Sequence, residues 1–203
     1  HDPYSSSKGC AELVASAYRR SFLKDCGIGL ASARAGNVIG GGDWADDRLI
    51  PDILRSFEEG KPVVIRNPKS TRPWQHVLEP LSGYLILAQK LYKDQKKYAE
   101  GWNFGPNEKD VKPVDWILDK MILKWPDASW KLDQNSSPHE AGFLKLDISK
   151  AESRLGWKPV WELSYTLEKI IAWHKAWLNK EDMQATCLTE IEEYMKDMNN
   201  ENH

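Results

Sequence analysis

Apolar positions near the start of the chain repeat with a helical period. Residues 4–24 contain no Pro, and Gly9 is their only Gly. One helix face carries Leu13, Val14, Ala17 and Tyr18. This pattern predicts a helix that ends at Gly27, and the short apolar run at residues 28–34 predicts a buried strand. A helix followed by a buried strand is typical of half of a doubly wound α/β unit.

Alternating apolar and polar runs predict the remaining elements. Residues 36–47 are rich in Gly and Asp, which predicts a loop at the carboxyl end of the first strand, where open α/β sheets bind ligands. Further helices are predicted over residues 50–59, 78–92, 114–123 and around 167–178. Short strands are predicted over residues 63–65, 101–106 and 144–148, and an exposed turn over residues 67–70.

Apolar stripes predict which helix faces are buried. The helix at residues 78–92 presents Leu81, Leu85, Ala88 and Leu91. The helix around residues 167–178 presents Leu167, Ile170, Ile171, Trp177 and Leu178, with His174 in the same stripe. The last segment presents Leu188, Ile191, Met195 and Met198 at heptad-like spacing. For this last stripe, packing on the core of the domain itself is favoured over docking on a partner.

Composition narrows the class of protein. The chain has 203 residues, of which 41% are hydrophobic, enough for one domain with a sizeable core. Its net charge of -2 and the scattered distribution of its 28 basic residues argue against nucleic acid and anionic membranes as partners. Three cysteines without Cys-x-x-Cys spacing indicate a reducing, cytoplasmic environment. Most of the ten tryptophans are expected to be packing residues.

Tyr4 and Lys8 are the first candidates for chemistry. They lie four residues apart in the first predicted helix, so the phenol and the ammonium would share one face. A phenol is only about one part in a thousand ionised at neutral pH, and a cation about 4 Å away supplies energy of the order needed to make it a base. The spacing predicts a proton-transfer pair, although a helix start with a snorkelling lysine has the same pattern.

Three arginines predict an anion site. Arg48, Arg66 and Arg72 flank the Gly-rich loop and the strand at residues 63–65, and guanidinium groups bind phosphates with two parallel hydrogen bonds. Singly, each is typical of a solvated surface arginine. Together, beside a polar loop at a strand end, they predict a diphosphate clamp.

Other familiar motifs are missing. Residues 40–43, Gly-Gly-Gly-Asp, do not form Gly-x-Gly-x-x-Gly and precede no Gly-Lys-Ser/Thr, so they predict a flexible loop and not a phosphate cradle. The five histidines show no metal-ligand spacing, and there is no Gly-x-Ser-x-Gly elbow. Zinc chemistry and serine hydrolysis are therefore not expected, and no metal site is predicted.

The order of the candidate segments carries a resemblance. They are residues 4–8, 33–38 at a strand end, 48–51 opening a helix, 60–62 before a strand, and 72–74 before a long helix. In this order they resemble the extended short-chain dehydrogenase/reductases that act on nucleotide sugars. Within that family, TRPWQHVLEPLSGYLILAQKL (71–91), RAGNVIGGGDW (34–44) and PHEAGFLKLD (138–147) resemble 4,6-dehydratases that use CDP-glucose. A dehydratase for dTDP-glucose would be expected to carry Arg-Asp-Trp at residues 72–74.

The resemblance implies an α/β fold, namely the C-terminal part of a Rossmann-type doubly wound sheet plus a smaller mixed α/β nucleotide-sugar-binding lobe. Residues 1–40 would be the last part of the NAD-binding Rossmann domain. Residues 41–180 would be mainly the substrate-binding lobe, with segments returning to the Rossmann sheet, and residues 181–203 a C-terminal amphipathic helical tail. NAD as cofactor, a nucleotide-sugar substrate, a homodimer and a cytoplasmic enzyme are also implied.

The resemblance also implies roles for individual residues. Tyr4 would remove the 4-hydroxyl proton as hydride leaves sugar carbon 4 for NAD, Lys8 would assist it and bind the nicotinamide ribose, and Arg34 would lie on the cofactor side. Water would leave across carbons 5 and 6, and the hydride would return to carbon 6. The implied substrate contacts are Asn37, Arg48, Leu49, Val64, Ile65, Arg66, Arg72 and, in a late loop, His139 and Glu140.

The chain departs from that family by opening on its tyrosine. The glycine-rich first turn, the acid for the adenosine ribose and the groups that expel water are not in these 203 residues. The chain is therefore expected to be the C-terminal part of such an enzyme, inactive alone, with an exposed sheet edge and uncovered apolar faces. Two alternatives stay open: an epimerase or reductase of the same superfamily, and a non-catalytic module that binds nucleotide sugars.

Overall fold

The computed structural model describes residues 3–133 and 144–200. Its helices are α1 (Pro3–Tyr18), α2 (Leu49–Glu58), α3 (Leu78–Lys93), α4 (Gln95–Tyr98), α5 (Val114–Ile122), α6 (Ser149–Leu155), α7 (Leu163–Leu178) and α8 (Met183–Asn200). Its strands are β1 (Ser32–Ala35), β2 (Asn37–Ile39), β3 (Val63–Ile65), β4 (Thr71–Arg72), β5 (Trp74–His76), β6 (Gly101–Phe104), β7 (Lys112–Pro113) and β8 (Trp130–Leu132). Arg19–Leu23 continue α1 as a π-helix, and Glu108–Asp110 form a 3₁₀ turn. All the predicted helices are confirmed.

The strands pair two by two, mostly in parallel. The parallel pairs are β1 with β6, β2 with β5, and β3 with β8, and the antiparallel pair is β4 with β7. Parallel neighbours need long connections between them, and here helices lie in those connections. This arrangement is that of an α/β chain, as predicted.

The chain divides into two compact units. Unit 1 comprises the residues up to Ala35 together with Pro80–Phe104 and Asp147–Lys158, and unit 2 comprises Gly36–Glu79, Gly105–Leu146 and the residues from Pro159 onward. The three-part division expected from the sequence stays a prediction.

Unit 1 is built around aromatic side chains. Its buried cluster consists of Leu87, Tyr98, Trp102, Phe104, Ile148, Ala151, Leu155 and Trp157. The Trp157 indole Nε1 donates a hydrogen bond to Ser82 Oγ at 3.0 Å. A Cβ added at Gly83 would lie 2.3 Å from the Phe104 ring, so α3 approaches β6 as closely as a glycine allows.

Unit 2 has the larger core. Sixteen buried side chains from β2, β3, β5, α2, α5 and α7 form one cluster. Its fully buried members are Ile53, Ile117, Leu118, Met121, Leu163, Leu167 and Ile170. Each fully buried side chain of this size contributes about 1.5–3 kcal/mol relative to exposure, so this cluster is the main source of stability in unit 2.

Three sequence-based expectations about strands and turns were wrong. The first strand covers only the end of the apolar run at residues 28–34, because pairing with β6 begins at Ser32, and the run is not buried, since Ile28 is 56% exposed. The predicted loop over residues 36–47 contains a strand, β2, since Asn37 pairs with Trp74. Residues 144–148 form no strand, although the Leu144 N–H donates to Thr71 O at 3.2 Å. The turn at residues 67–70 is present, but Ser70 is buried.

The predicted buried face of α3 was wrong as well. Leu81 and Leu85 are exposed, at 45% and 74%, and Ala88 is exposed too. Of the predicted stripe, Leu91 does pack against the unit 1 core, together with Tyr84, and the helix buries Leu87 there. The helix has one apolar side with Leu81 and Leu85 and another with Leu87 and Leu91. The spacing of its apolar residues alone does not show which of these sides packs on the core.

The last helix is also docked differently from the prediction. Leu188, Ile191 and Met195 are exposed, and the buried residue of α8 is Tyr194, at 3% exposure. Its hydroxyl donates to Glu79 Oε2 at 2.8 Å. Glu79 has no exposed surface and also accepts hydrogen bonds from the backbone N–H groups of Val160 and Trp161, at 3.0 and 2.7 Å. The helix is held by a polar contact to a buried carboxylate.

The glycines at residues 40–42 leave space for an indole ring. A Cβ at Gly41 would lie 2.3 Å from Cδ2 of Trp173, and a Cβ at Gly40 would lie 2.9 Å from Cγ1 of Val77. Gly42 has a φ of +76°, which other residues rarely adopt. The run that was predicted to be a flexible loop therefore serves close packing against α7.

No helix within residues 3–133 and 144–200 is both long enough and apolar enough to cross a membrane.

We expect Gly41→Ala to destabilise unit 2 by about 1–3 kcal/mol, because the new methyl group would overlap the Trp173 ring. Gly9→Ala is the matched control, because a Cβ there meets no atom within 4 Å and Ala favours the helix by about 0.5–1 kcal/mol over Gly. Urea unfolding of both variants measures the difference. Equal effects of the two substitutions would contradict the packing role.

We expect Glu79 to make the stability of unit 2 depend on pH. Burial raises the pKa of the Glu79 carboxyl, and hydrogen bonds from Trp161, Val160 and Tyr194 oppose that rise only in part. The folded state therefore holds this proton more tightly than the unfolded state, and the contribution of the group to stability grows as pH falls through the folded-state pKa towards its ordinary value.

In urea unfolding, the free-energy difference between the original protein and Glu79→Gln should accordingly shift in favour of the original protein as pH falls from above the raised pKa of Glu79 towards the ordinary carboxyl pKa. Glu192→Gln, on the exposed side of α8, is the control and should show a constant difference. A gap for Glu79→Gln that stays constant or narrows would rule out this assignment.

Candidate functional site

Tyr4 and Lys8 lie on the first turns of α1. The helix brings them to one side, and the Lys8 Nζ lies 5.3 Å from the centroid of the Tyr4 ring. Tyr4 is 71% exposed, and Lys8 is exposed as well. The Ser7 hydroxyl donates to the Tyr4 carbonyl oxygen at 2.7 Å, within the same helix turn. The phenol and the ammonium are thus adjacent and open to a ligand, as the spacing predicts.

Glu12 is a residue that the sequence reasoning missed. It lies one turn beyond Lys8 and accepts a hydrogen bond from Ser32 Oγ at 2.8 Å. The Arg34 Nη1 lies 3.4 Å from the same carboxylate oxygen. Glu12 therefore joins α1 to β1. The four-residue repeat of positions 4, 8 and 12 was the available signal.

Arg34 was predicted on the cofactor side. The structure places it on β1, in the same unit as Tyr4 and Lys8, with 44% of its side chain exposed. A Cβ at Gly101 would lie 2.8 Å from Arg34 Nη2, so the guanidinium passes over the neighbouring strand. Glu12 is its observed ionic partner.

The predicted substrate residues fall in unit 2, at the ends of strands and helices. Asn37 starts β2, and its backbone N–H donates to Pro73 O at 2.8 Å. Arg72 lies on β4 opposite Lys112, and its Nη1 donates to Thr71 O at 3.0 Å. Both positions are fixed by backbone pairing, and both side chains are partly exposed.

The residues around α2 and β3 offer a mixture of exposed and buried groups. Arg48 is exposed and immediately precedes α2, which begins at Leu49. Val64 is 52% exposed, whereas Ile65 belongs to the unit 2 core, so Ile65 could meet a ligand only through its backbone. Arg66 follows β3 with 69% of its side chain exposed, and its Nε lies 3.7 Å from Asp133 Oδ2.

The three arginines of the predicted diphosphate clamp thus lie on three different elements of one unit: before α2, after β3 and within β4. His139 and Glu140 lie outside the described residues. For all of these side chains, the assignment to a cofactor or a substrate stays a prediction.

Comparison with known proteins identifies the family. Residues 1–170 match the family model described as GDP-mannose 4,6 dehydratase. A CDP-glucose 4,6-dehydratase of Salmonella typhimurium is 62% identical over 201 residues, which cover 96% of this chain and 56% of that protein. A dTDP-glucose 4,6-dehydratase of Escherichia coli is 26% identical over 178 residues, covering 85% of this chain and 48% of that protein. The chain spans about half the length of the curated relatives it matches.

Solved structures agree on the fold. A UDP-glucuronic acid 4-epimerase from Bacillus cereus, in complex with UDP-glucuronic acid and NAD, matches with a TM-score of 0.70 at 23% identity. A dTDP-glucose 4,6-dehydratase from Bacillus anthracis, in complex with NAD, matches with a TM-score of 0.68 at 21% identity. Each match covers 86% of this chain and 52% of that structure.

The fold is therefore a Rossmann-type α/β fold, as the resemblance implied. The chain belongs to the GDP-mannose 4,6 dehydratase family.

Proposed function

We propose that this chain supplies the proton-transfer pair and the nucleotide-sugar lobe of an NAD-dependent CDP-glucose 4,6-dehydratase. The reaction converts CDP-D-glucose to CDP-4-dehydro-6-deoxy-D-glucose with loss of water. The observation that carries the proposal is the 62% identity to a CDP-glucose 4,6-dehydratase along 96% of this chain. The exposed Tyr4 and Lys8, adjacent on one helix, are in keeping with that chemistry.

The residues of α1 fit the ribose side of a nicotinamide nucleotide. Tyr4 and Lys8 each offer an exposed donor on the same side of the helix, and ribose hydroxyls accept such bonds. When bound, NAD takes up a hydride from the sugar and returns it. The positive charge of Lys8 stabilises the phenolate form of Tyr4, and this phenolate accepts the proton of the 4-hydroxyl and becomes a neutral phenol.

Unit 2 provides the proposed contacts to the nucleotide sugar. Arg48, Arg66 and Arg72 are cations at element ends, and a diphosphate carries the complementary charge. Arg66 has its Nε near Asp133 but keeps most of its side chain exposed, so it can turn to a ligand. Asn37 and the exposed Val64 complete the described set, and His139 and Glu140 are proposed to contact the nucleotide from a later segment.

The first test is the product. The complete protein that contains this chain should convert CDP-glucose, in the presence of NAD, to a 4-keto-6-deoxy sugar nucleotide that mass spectrometry detects as a loss of 18 mass units, the mass of one water. These 203 residues contain no Gly-x-Gly-x-x-Gly turn, so the chain alone should give no turnover. An epimer of unchanged mass would instead identify an epimerase, and binding without any product would identify a binding module.

The second test concerns Tyr4. Tyr4→Phe in the complete protein should lower kcat by about 10²–10⁴, which is typical of losing a general base, with little change in the affinity for CDP-glucose. Tyr18→Phe, another exposed tyrosine of α1, is the matched control and should retain the original kcat. A Tyr4→Phe variant with the original rate would refute the role given to the phenol.

We also propose that the protein is a cytoplasmic homodimer. Leu13, Val14, Tyr18 and Phe22 on α1 and its π-helical continuation are 54–72% exposed, and association would cover them. The cysteines of the described residues are all unpaired, as expected in a reducing compartment. Light scattering of the complete protein should give twice the mass of one chain, and Leu13→Glu should lower it. A monomeric original protein would contradict this assignment.

A further inference from the structure

The helix that carries Tyr4 and Lys8 carries a carboxylate one turn farther on. Tyr4, Lys8 and Glu12 follow one another at four-residue intervals along one side of α1. Oppositely charged side chains four residues apart pair on helices, so Glu12 is a second possible partner for the Lys8 ammonium. A lysine turned towards Glu12 would take its positive charge away from the Tyr4 phenol.

In the structure, Glu12 is engaged from the other side. The Ser32 hydroxyl donates to Glu12 Oε2 at 2.8 Å, and Arg34 Nη1 lies 3.4 Å from that oxygen. Both partners come from β1, whose position is set by its pairing with β6. In the described part of the chain, Lys8 has no carboxylate within ion-pair distance, and its Nζ lies over the Tyr4 ring.

We propose that Arg34 and Ser32 are positioning residues that hold Glu12 and offset its charge, so that Lys8 stays directed at Tyr4. The inference rests on the function proposed for Tyr4 and Lys8. It gives Arg34 a part in the reaction that needs no contact with the cofactor, because its effect passes through Glu12 and Lys8.

The helical arrangement explains why such a device is needed. On a helix, a lysine four residues before a glutamate pairs with it less strongly than a lysine four residues after it does. The weaker ion pair still forms when the glutamate has no other partner. A strand-borne guanidinium and hydroxyl outcompete it because they approach from a fixed strand and bind the same oxygen together. The Glu12 carboxylate therefore links α1 to β1 and does not pair with Lys8.

Other charged groups near β1 are already occupied. Lys150 Nζ and Arg154 Nη1 each lie 2.5 Å from a carboxylate oxygen of Glu100, the residue before β6. Arg19 and Arg20 lie on the π-helix, more than three turns beyond Tyr4. The ion pair of Glu12 with Arg34 is therefore the one to disturb, because a single substitution of Arg34 on β1 leaves the Glu12 charge without its ionic partner.

The experiment follows the ionisation of Tyr4 directly. In the complete protein labelled with ¹³C at tyrosine Cζ, the Tyr4 signal, assigned with Tyr4→Phe, is titrated with pH by NMR. Arg34→Gln frees the Glu12 charge and should raise the titration midpoint of Tyr4 by about half a pH unit, given the size of charge effects along a helix turn. Arg34→Lys, which keeps the charge, should restore most of the original midpoint.

The double variant separates this mechanism from its rivals. Glu12→Gln combined with Arg34→Gln removes both charges and should return the midpoint to the original value. The pH at half-maximal kcat/KM should move in parallel, lowering the rate by about threefold on the acidic limb for Arg34→Gln alone. A double variant that behaves like Arg34→Gln would show that Arg34 acts directly on the cofactor and would overturn the proposal.

Two further outcomes are decisive. An unchanged Tyr4 midpoint in a folded Arg34→Gln protein, with folding checked by thermal unfolding, would overturn the proposal. If Arg34→Gln does not fold, Glu12→Gln alone decides the question, because it should leave the midpoint unchanged or lower it, and a rise would overturn the proposal. The NMR midpoint needs no turnover, so failure to form a 4-keto product would count against the proposed function and not against this electrostatic arrangement.

Discussion

The Glu79 carboxylate has no access to water, so the protein itself must supply its hydrogen-bond donors, and the packing of unit 2 depends on this requirement. Two backbone N–H groups, from Val160 and Trp161, and the Tyr194 hydroxyl supply them. Leaving such a group unpaired would cost several kcal/mol, so the first turn of α3, the segment before α7 and the helix α8 have to arrive together. The Trp161 ring, which lies edge-on to both His76 and Tyr194, closes the remaining space around the carboxylate.

Unit 1 depends on close approach instead of buried charge. Gly83 lets α3 come against Phe104, and Phe104 and Trp157 meet edge to face with their centroids 5.0 Å apart. This packing sets the position of β6, and β6 sets that of β1 through residue-by-residue pairing. Glu12 on α1 binds Ser32 and Arg34 on β1. The position of α1, and with it that of Tyr4 and Lys8, therefore depends on the aromatic core of unit 1, although neither residue belongs to that core.

Periodicity was enough to predict the helices, the parallel α/β class and the Tyr4–Lys8 pair, because each depends on residues close together in the chain. It was not enough where the decision is made by a distant partner. Spacing could not choose between the two apolar sides of α3, and Leu85 is exposed while Leu87 is buried. In α8, spacing predicted burial of the stripe that contains Leu188, but the buried residue is Tyr194. Its hydroxyl donates to the carboxylate of Glu79, 115 residues away, and local spacing does not show such a partner. It missed Glu12 because the significance of that residue appears only once β1 lies beside α1. For Arg48 and Arg66, the sequence predicted the neighbouring helix and strand, but only the structure shows that Arg72 lies on a strand, β4, which pairs with β7.

The bond between Tyr194 and Glu79 also has a consequence for synthesis. Tyr194 is synthesised 115 residues after Glu79, and the two donors at residues 160–161 appear in between, so during this interval the nascent chain carries the carboxylate without its full set of partners. Long-range contacts of this kind form late in folding. A chain that lacks α8 would lack the Tyr194 hydroxyl as a donor to this buried carboxyl. The donor set of this buried carboxyl is therefore completed only when α8, with Tyr194, has been synthesised.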